Sequence, residues 1–215
     1  MVESTAPELK VFHSLWGFSG DWHEAIARAK VSGFDGLEVN LRHPSLVGSE
    51  PLRLIQALQV SQLGLIVELI TGGDYVPDLS VTPEQHLAEL SEQLPRAERL
   101  QPELITLITG SDSWSEAQQD HFLEAVLDLV EACTVPVSLE THRSRSLFNP
   151  WTITDRLARH PRLRLTADLS HWCAVSERLM TPELELISAM ADRVDHIHAR
   201  VGHAQGPSVS HPFAP

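Results

Sequence analysis

Short apolar runs recur along the chain and set its first pattern: 10-KVFHSL-15, 36-GLEVNL-41, 64-GLIVELI-70, 103-ELITLIT-109, 136-PVSLET-141, 162-RLRLTAD-168 and 194-VDHIHAR-200. They are close to continuous in Val, Ile and Leu rather than strictly alternating, which suits strands covered on both faces. Seven strands are predicted. The intervening segments carry helix punctuation. Asp21 with Glu24, and Ser113 with Glu116, read as capping boxes, and Thr82-Pro83, Asn149-Pro150 and Thr181-Pro182 each place a cap before a proline at the first helical position. Phe122, Val126, Leu129 and Val130 return at helical spacing, and Gly33 closes the first helix as a left-handed cap requires.

The βα unit repeats at intervals of about 25 to 40 residues with no break in composition that would mark a linker, so residues 1–215 read as one domain. Regular alternation implies a parallel sheet with right-handed crossovers. An open nucleotide-binding sheet would announce itself by a glycine-rich turn after its first strand. The loop 13-HSLWGFSGDW-22 has neither the dinucleotide spacing nor a phosphate-loop lysine. A (β/α)8-type TIM barrel is therefore the expected α/β fold, with seven strands visible and the eighth missing from this chain.

Composition narrows the partners. Sixteen basic against 29 acidic side chains give a formal charge of -13, which repels a phosphate backbone unless a local basic patch overrides it. Nucleic acid is not an expected partner. The longest apolar runs, such as 63-LGLIVELI-70, are too short to span a bilayer, and the first ten residues lack the basic-then-apolar order of a signal peptide. No membrane partner and a cytoplasmic location are expected. Cys133 and Cys173 lack zinc-site spacing and are expected to be reduced and buried.

In a barrel the active site forms at the carboxyl ends of the strands, so the residues that end each run belong together. These are His13, Glu38, Glu68, a polar cluster from Thr109 to Asp112, Glu140 with His142, Asp168 with His171, and His198 with Arg200. Several carboxylates and imidazoles around one cavity repel one another unless a cation offsets them. Oxygen plus imidazole without thiolate suits a divalent ion in a catalytic role (Mn, Mg, Co or Zn) over a structural zinc. For any one strand-ending Asp or Glu, a helix cap or ion pair is the plainer use. Three at the right strands in the right order favour a site. His196, beside His198, is expected to point outward, and His23, His86, His121 and His160 to lie on helix surfaces. Trp16, Trp114 and Trp172 are candidates for an apolar wall against a sugar face, with packing against helices as the commoner use.

The segments 33-GFDGLEV-39, 138-SLETH-142, 167-ADLSH-171 and 196-HIHARVGHAQGP-207 resemble the xylose isomerase-like TIM barrel superfamily of sugar isomerases and epimerases, over about residues 10 to 207. The resemblance implies a metal-dependent isomerase or epimerase that moves a proton next to a carbonyl of a small polyhydroxy substrate. It implies Glu140, Asp168 and His198 as metal ligands, Glu140 also as base, and His171 as a catalytic group touching substrate hydroxyls. Arg200, Glu38, His142 and Glu68 are implied at the substrate pocket. Members take a fourth ligand, a glutamate, from an eighth strand, whereas no Glu follows Glu185 in this sequence. Either a further segment of roughly 50 residues follows, judged from the spacing of the βα units, or water, His13 or a second subunit completes the site. The tail 203-HAQGPSVSHPFAP-215 reads as loop. Open edges on strands one and seven make association between copies the expected remedy. Two other classes stay in view. One is a binding module that has kept the barrel without catalysis. The other is an endonuclease IV-like phosphodiesterase, opposed by the acidic balance and by Ser208 to Pro212, where that family has an Asp-x-His pair.

Overall fold

All seven expected strands form. The structure, a computed structural model, describes residues 9–44, 46 and 51–200; the tail, including positions 208–212, lies outside them. The strands are β1 (Phe12–Ser14), β2 (Gly36–Asn40), β3 (Gly64–Ile70), β4 (Leu104–Ile108), β5 (Val137–Glu140), β6 (Leu165–Ala167) and β7 (Val194–Ile197). They pair in parallel in chain order, so every crossover is one step. Seven helices separate them: α1 (Trp22–Ser32), α2 (Pro51–Ser61), α3 (Pro83–Glu98), α4 (Glu116–Glu131), α5 (Ile153–Arg159), α6 (Leu169–Ser176) and α7 (Leu184–Met190). The result is a curled sheet with the strand order of a TIM barrel, lacking one strand among the described residues. No ladder joins β7 to β1 among them.

The core lies between sheet and helices. Leu37, Val39, Val67, Leu69, Ile105, Leu107 and Leu165 pack outward against Ala25 and Ala29 of α1, Leu90 and Ala97 of α3, and Phe122 and Val126 of α4. The alternate positions face a cavity of about 1400 Å³ enclosed by the sheet, and they are largely polar: Ser14, Glu38, Glu68, Glu140 and His196 line it with Phe12 and Ile66. Ser138 and Thr166 hydrogen-bond across the same interior at 2.6 Å. The strands can thus be apolar on the helix side and still carry carboxylates inward. Toward the amino ends of the strands Gly36 leaves room for the Phe12 ring, which would lie 2.4 Å from a Cβ placed there.

Local chemistry explains most element boundaries. Asp21 caps α1 and Gly33 ends it at φ 73°. Thr82 and Gln85 form a capping box for α3. The box of α4 is Ser115 with Gln118, not Ser113 with Glu116, because the Ser113 hydroxyl pairs with Ser111 at 2.8 Å. Asn149 caps a single 3-10 turn, and Thr181-Pro182 opens another without a side-chain cap. Cys133 and Cys173 are free and half-buried rather than fully buried. No helix among the described residues is long and apolar enough to cross a membrane.

Two histidines expected on helix surfaces are buried. His160 lies between Asp120 and Glu124, with ring nitrogens 3.0 and 2.5 Å from their oxygens. His86 is 1% exposed; its Nδ1 is 2.7 Å from Thr71 Oγ1, and its ring meets Trp114 and Phe122 edge-on. Burial first, and then the charge of Arg145, hold the His86 imidazole down at about 4. The unfolded chain takes up that proton near pH 6.5 while the folded one does not. The stability His86 contributes is therefore full above pH 6.5 and is lost as pH falls toward 4, by roughly 3 kcal/mol in total. Denaturant unfolding in chelator at pH 7, 5.5 and 4.5 checks this: His86→Gln is expected to show the shallower loss, and equal slopes would remove His86 as the source.

Candidate metal centre

The carboxyl ends of β5, β6 and β7 bring Glu140, Asp168, His171 and His198 around one point. Glu140 is the last residue of β5, and Asp168 follows β6 as the N-cap of α6. Thr141 ties the two strand ends together: the Asp168 N–H donates to its Oγ1 at 2.9 Å, and its hydroxyl donates to the Asp168 carbonyl at 3.1 Å. The Oδ1 atom of Asp168 accepts from the Ser170 N–H at 2.9 Å and its hydroxyl at 2.5 Å. That leaves Oδ2 to face the cavity. His198 is held by its N–H, which donates to the Ala167 carbonyl at 3.0 Å.

His198 Nδ1 lies 3.6 Å from Glu140 Oε2 and 3.8 Å from Asp168 Oδ2. His171 Nε2 lies 3.6 Å from both Glu140 Oε1 and Asp168 Oδ2. These separations are too long for hydrogen bonds. They are close to the ~3.4 Å between donors around a tetrahedral ion with ~2.1 Å bonds. Two buried polar atoms here, Glu140 Oε2 and His171 Nδ1, have no hydrogen-bond partner among the described residues. The donor set of carboxylate and imidazole, with a buried acceptor left unpaired, fits a divalent cation. Glu140, Asp168 and His198 offer ligand atoms within 4.8 Å of one another, as do Glu140, His142 and His171.

Burial, with the charges of Glu68 and Asp168, pushes the Glu140 carboxyl up to about 7 against the lowering effect of His198. His171 is pushed down to about 3 by burial and then by the charges of Arg143, Arg200 and His198. His142, whose ring centroid is 3.7 Å from that of His171, is likewise held at about 3, chiefly by burial. In His198 burial is overcome by the carboxylates of Glu140 and Glu38, which raise it to about 11.

Glu38 lies on the cavity wall and is the partner of His198, accepting from its Nε2 at 2.8 Å. Burial would raise its carboxyl, but hydrogen bonds from His196 and His198 hold it at about 2. A carboxylate on the far ring nitrogen fixes the orientation in which Nδ1 faces Glu140 and Asp168. His196 also faces inward, with Nε2 3.4 Å from Glu38, contrary to the outward expectation. Residues two apart on a strand share a face, so His196 follows His198 inward. A bulge sets that face: Leu165 pairs with Val194 but Thr166 with His196, leaving Asp195 extra.

Glu68 stands on the same cavity wall, accepting from the Tyr75 hydroxyl at 2.7 Å and the Asn40 side-chain amide at 2.6 Å. Burial raises its carboxyl despite both bonds. Tyr75 and Asn40 escape a reading of strand ends because one is in a loop and the other ends β2 one residue from an apolar position. Arg200 lines the mouth, its guanidinium over Trp16 at 5.3 Å, while Asp195 is taken by Arg164. His13 is not at the site. It faces away from the cavity and stacks on Phe34 with centroids 5.2 Å apart, so it supplies no fourth ligand. The Thr109 to Asp112 segment is likewise used by its own loops, with Thr109 bonded to Thr71 at 2.6 Å. Of the tryptophans, Trp172 is buried with its N–H on the Leu147 carbonyl, Trp114 packs on Phe122, and Trp16 is at the mouth.

No protein-family model and no curated protein sequence matches the chain. Solved structures do. The chain is similar to L-ribulose 3-epimerase (TM-score 0.69, 17% identity, covering 90% of this chain and 70% of that one). It is similar to D-psicose 3-epimerase from Clostridium cellulolyticum H10 (TM-score 0.67, 16% identity, 93% and 78%), and to a probable 3-DHS dehydratase from Bacillus anthracis (TM-score 0.67, 16% identity, 91% and 75%). At these identities the likeness shows the fold, a TIM barrel.

Proposed function

We propose that the protein is a metal-dependent isomerase or epimerase of a small sugar or polyol, acting by proton transfer next to a carbonyl. The observation that carries the reading is the convergence of Glu140, Asp168, His171 and His198 at the carboxyl mouth of the barrel, with atoms left unpaired for a cation. Glu140, Asp168 and His198 would hold the ion. When bound, it supplies positive charge to the carbonyl and hydroxyl oxygens of a substrate. Names of similar proteins, two of them 3-epimerases of ketoses, support the same chemistry.

The chain's own groups account for the proton. Glu140, buried at the end of β5 with one carboxylate oxygen left without a hydrogen-bond partner, is placed to take a proton from carbon and return it. Glu68, raised by burial and hydrogen-bonded by Tyr75, supplies a second acid or base in the same cavity. His171 and His142 stay neutral; His171 can donate one hydrogen bond to a substrate hydroxyl and accept another, whereas His142, whose one N–H is spent on the Arg143 carbonyl, can only accept through Nε2. Phe12, Ile66 and Leu104 give the cavity an apolar floor on the amino side of these groups.

Protein purified without chelator is expected to carry close to one divalent ion per chain. It is expected to exchange carbon-bound protons of ketoses or inosose-like polyols into solvent, with exchange stimulated by metal. Metal without exchange for any such compound would favour a binding module. Cleavage of abasic DNA would favour the phosphodiesterase reading.

A further inference from the structure

The loop after β5 carries two arginines of opposite fate. Arg145 is buried and spends its guanidinium on backbone carbonyls. Arg143, two residues earlier, is exposed and lines the mouth of the cavity. Its backbone is fixed on both sides: His142 Nδ1 donates to the Arg143 carbonyl at 2.6 Å, and the Arg145 N–H donates to the His142 carbonyl at 3.3 Å. Between them Ser144 sits at φ 63°. A non-glycine residue in the left-handed region costs free energy and persists where the surroundings dictate it, a pattern that clusters at ligand clamps.

Arg200 reaches the same mouth from the end of β7, spread over the exposed Trp16 ring. Both guanidinium charges are near enough to His171 to act on it. Elsewhere Arg156, Arg162, Arg164 and Arg178 each lie within 4 Å of a carboxylate. Arg143 and Arg200 have no carboxylate partner among the described residues; Arg28, Arg96, Arg99 and Arg193 lack one too, but only Arg143 and Arg200 of these line the cavity. The cavity is therefore polarised, with carboxylates along its wall and two unneutralised guanidinium groups at its entrance.

We propose that the substrate is an anionic polyol, a polyhydroxy compound with a carboxylate or phosphate at the end remote from the reacting carbon. The anionic group lies between Arg143 and Arg200, which present the planar donor forks that match such groups. The hydroxyl and carbonyl end reaches Glu140, Asp168 and His171. The inner carboxylates repel the anion and the mouth attracts it, so the charge pattern also fixes which end enters first. This assignment rests on the polyol reading of the site and narrows it.

Calorimetric titration of the metal-loaded protein with matched pairs tests it: glucuronate against glucose, and fructose 6-phosphate against fructose, at low and high salt. The anionic member of at least one pair is expected to bind about tenfold or more tightly than its neutral counterpart, with the gap narrowing in salt. Which pair shows the gap separates carboxylate from phosphate. The gap is expected to vanish in Arg143→Gln/Arg200→Gln, whose metal content should stay at the wild-type level because both side chains are exposed and neither is a ligand. Equal binding of neutral and anionic members, or a gap that survives the double substitution, overturns the anionic assignment alone. If the metal binds and no member of either pair does, the polyol reading falls with it.

Discussion

Asp168→Asn is expected to lose the divalent ion while keeping the fold, whereas Asp168→Ala is expected to lose the ion and about 1 kcal/mol of stability as well. The two oxygens of Asp168 have separate work. Oδ1 accepts the Ser170 N–H and hydroxyl and so caps α6. Oδ2 faces His171 and His198 at 3.6 and 3.8 Å. An asparagine keeps an acceptor for the cap and puts a neutral amide where the charge stood. Metal affinity should fall by more than the roughly 10- to 100-fold typical of outer-shell substitutions in both variants. Unfolding in chelator then isolates the cap, since no ion contributes there. Equal stability of the two variants would remove the capping role, and stoichiometric metal in both would remove the site.

That dual use explains how much was legible beforehand. A carboxylate before a helix reads equally as cap or ligand, and Asp168 is placed to be both. The strands were legible because their helix-facing positions are apolar throughout, and Glu38, Glu68, Glu140 and Asp168 stood out against them. Which face of β7 turns inward was not, because one extra residue, Asp195, resets its phase against β6; that His196 and His198 share a face follows from their spacing. His86 carried a signal that went unused: it falls in line with Leu90, Leu94 and Ala97 on the buried face of α3. Tyr75 and Arg145 carried none, since each sits in an irregular loop whose path decides its partners: Glu68 of the preceding strand for Tyr75, and carbonyls of the loops after β3 and β4 for Arg145.

Arg145→Met is expected to cost at least about 3 kcal/mol, the largest loss for a single substitution outside the metal centre. The Arg145 guanidinium is buried and donates to the carbonyls of Thr71 at 2.7 Å, Gly72 at 3.3 Å and Gly110 at 3.3 Å, and also to that of Asp74. It therefore joins the loops after β3, β4 and β5. A methionine fills similar volume but strands several acceptors away from water, and each such acceptor costs on the order of 1–3 kcal/mol. Arg145→Lys should fall between, since one ammonium cannot reach carbonyls spread over two loops. The loss also bears on function. Asp74 immediately precedes Tyr75, whose hydroxyl holds Glu68, so freeing the carbonyls of 71–74 should loosen that bond. Urea unfolding measures the first effect, and amide hydrogen exchange at 72–78 the second. Wild-type stability with unchanged exchange in Arg145→Met would mean that water replaces the guanidinium and that the loops are held by other contacts.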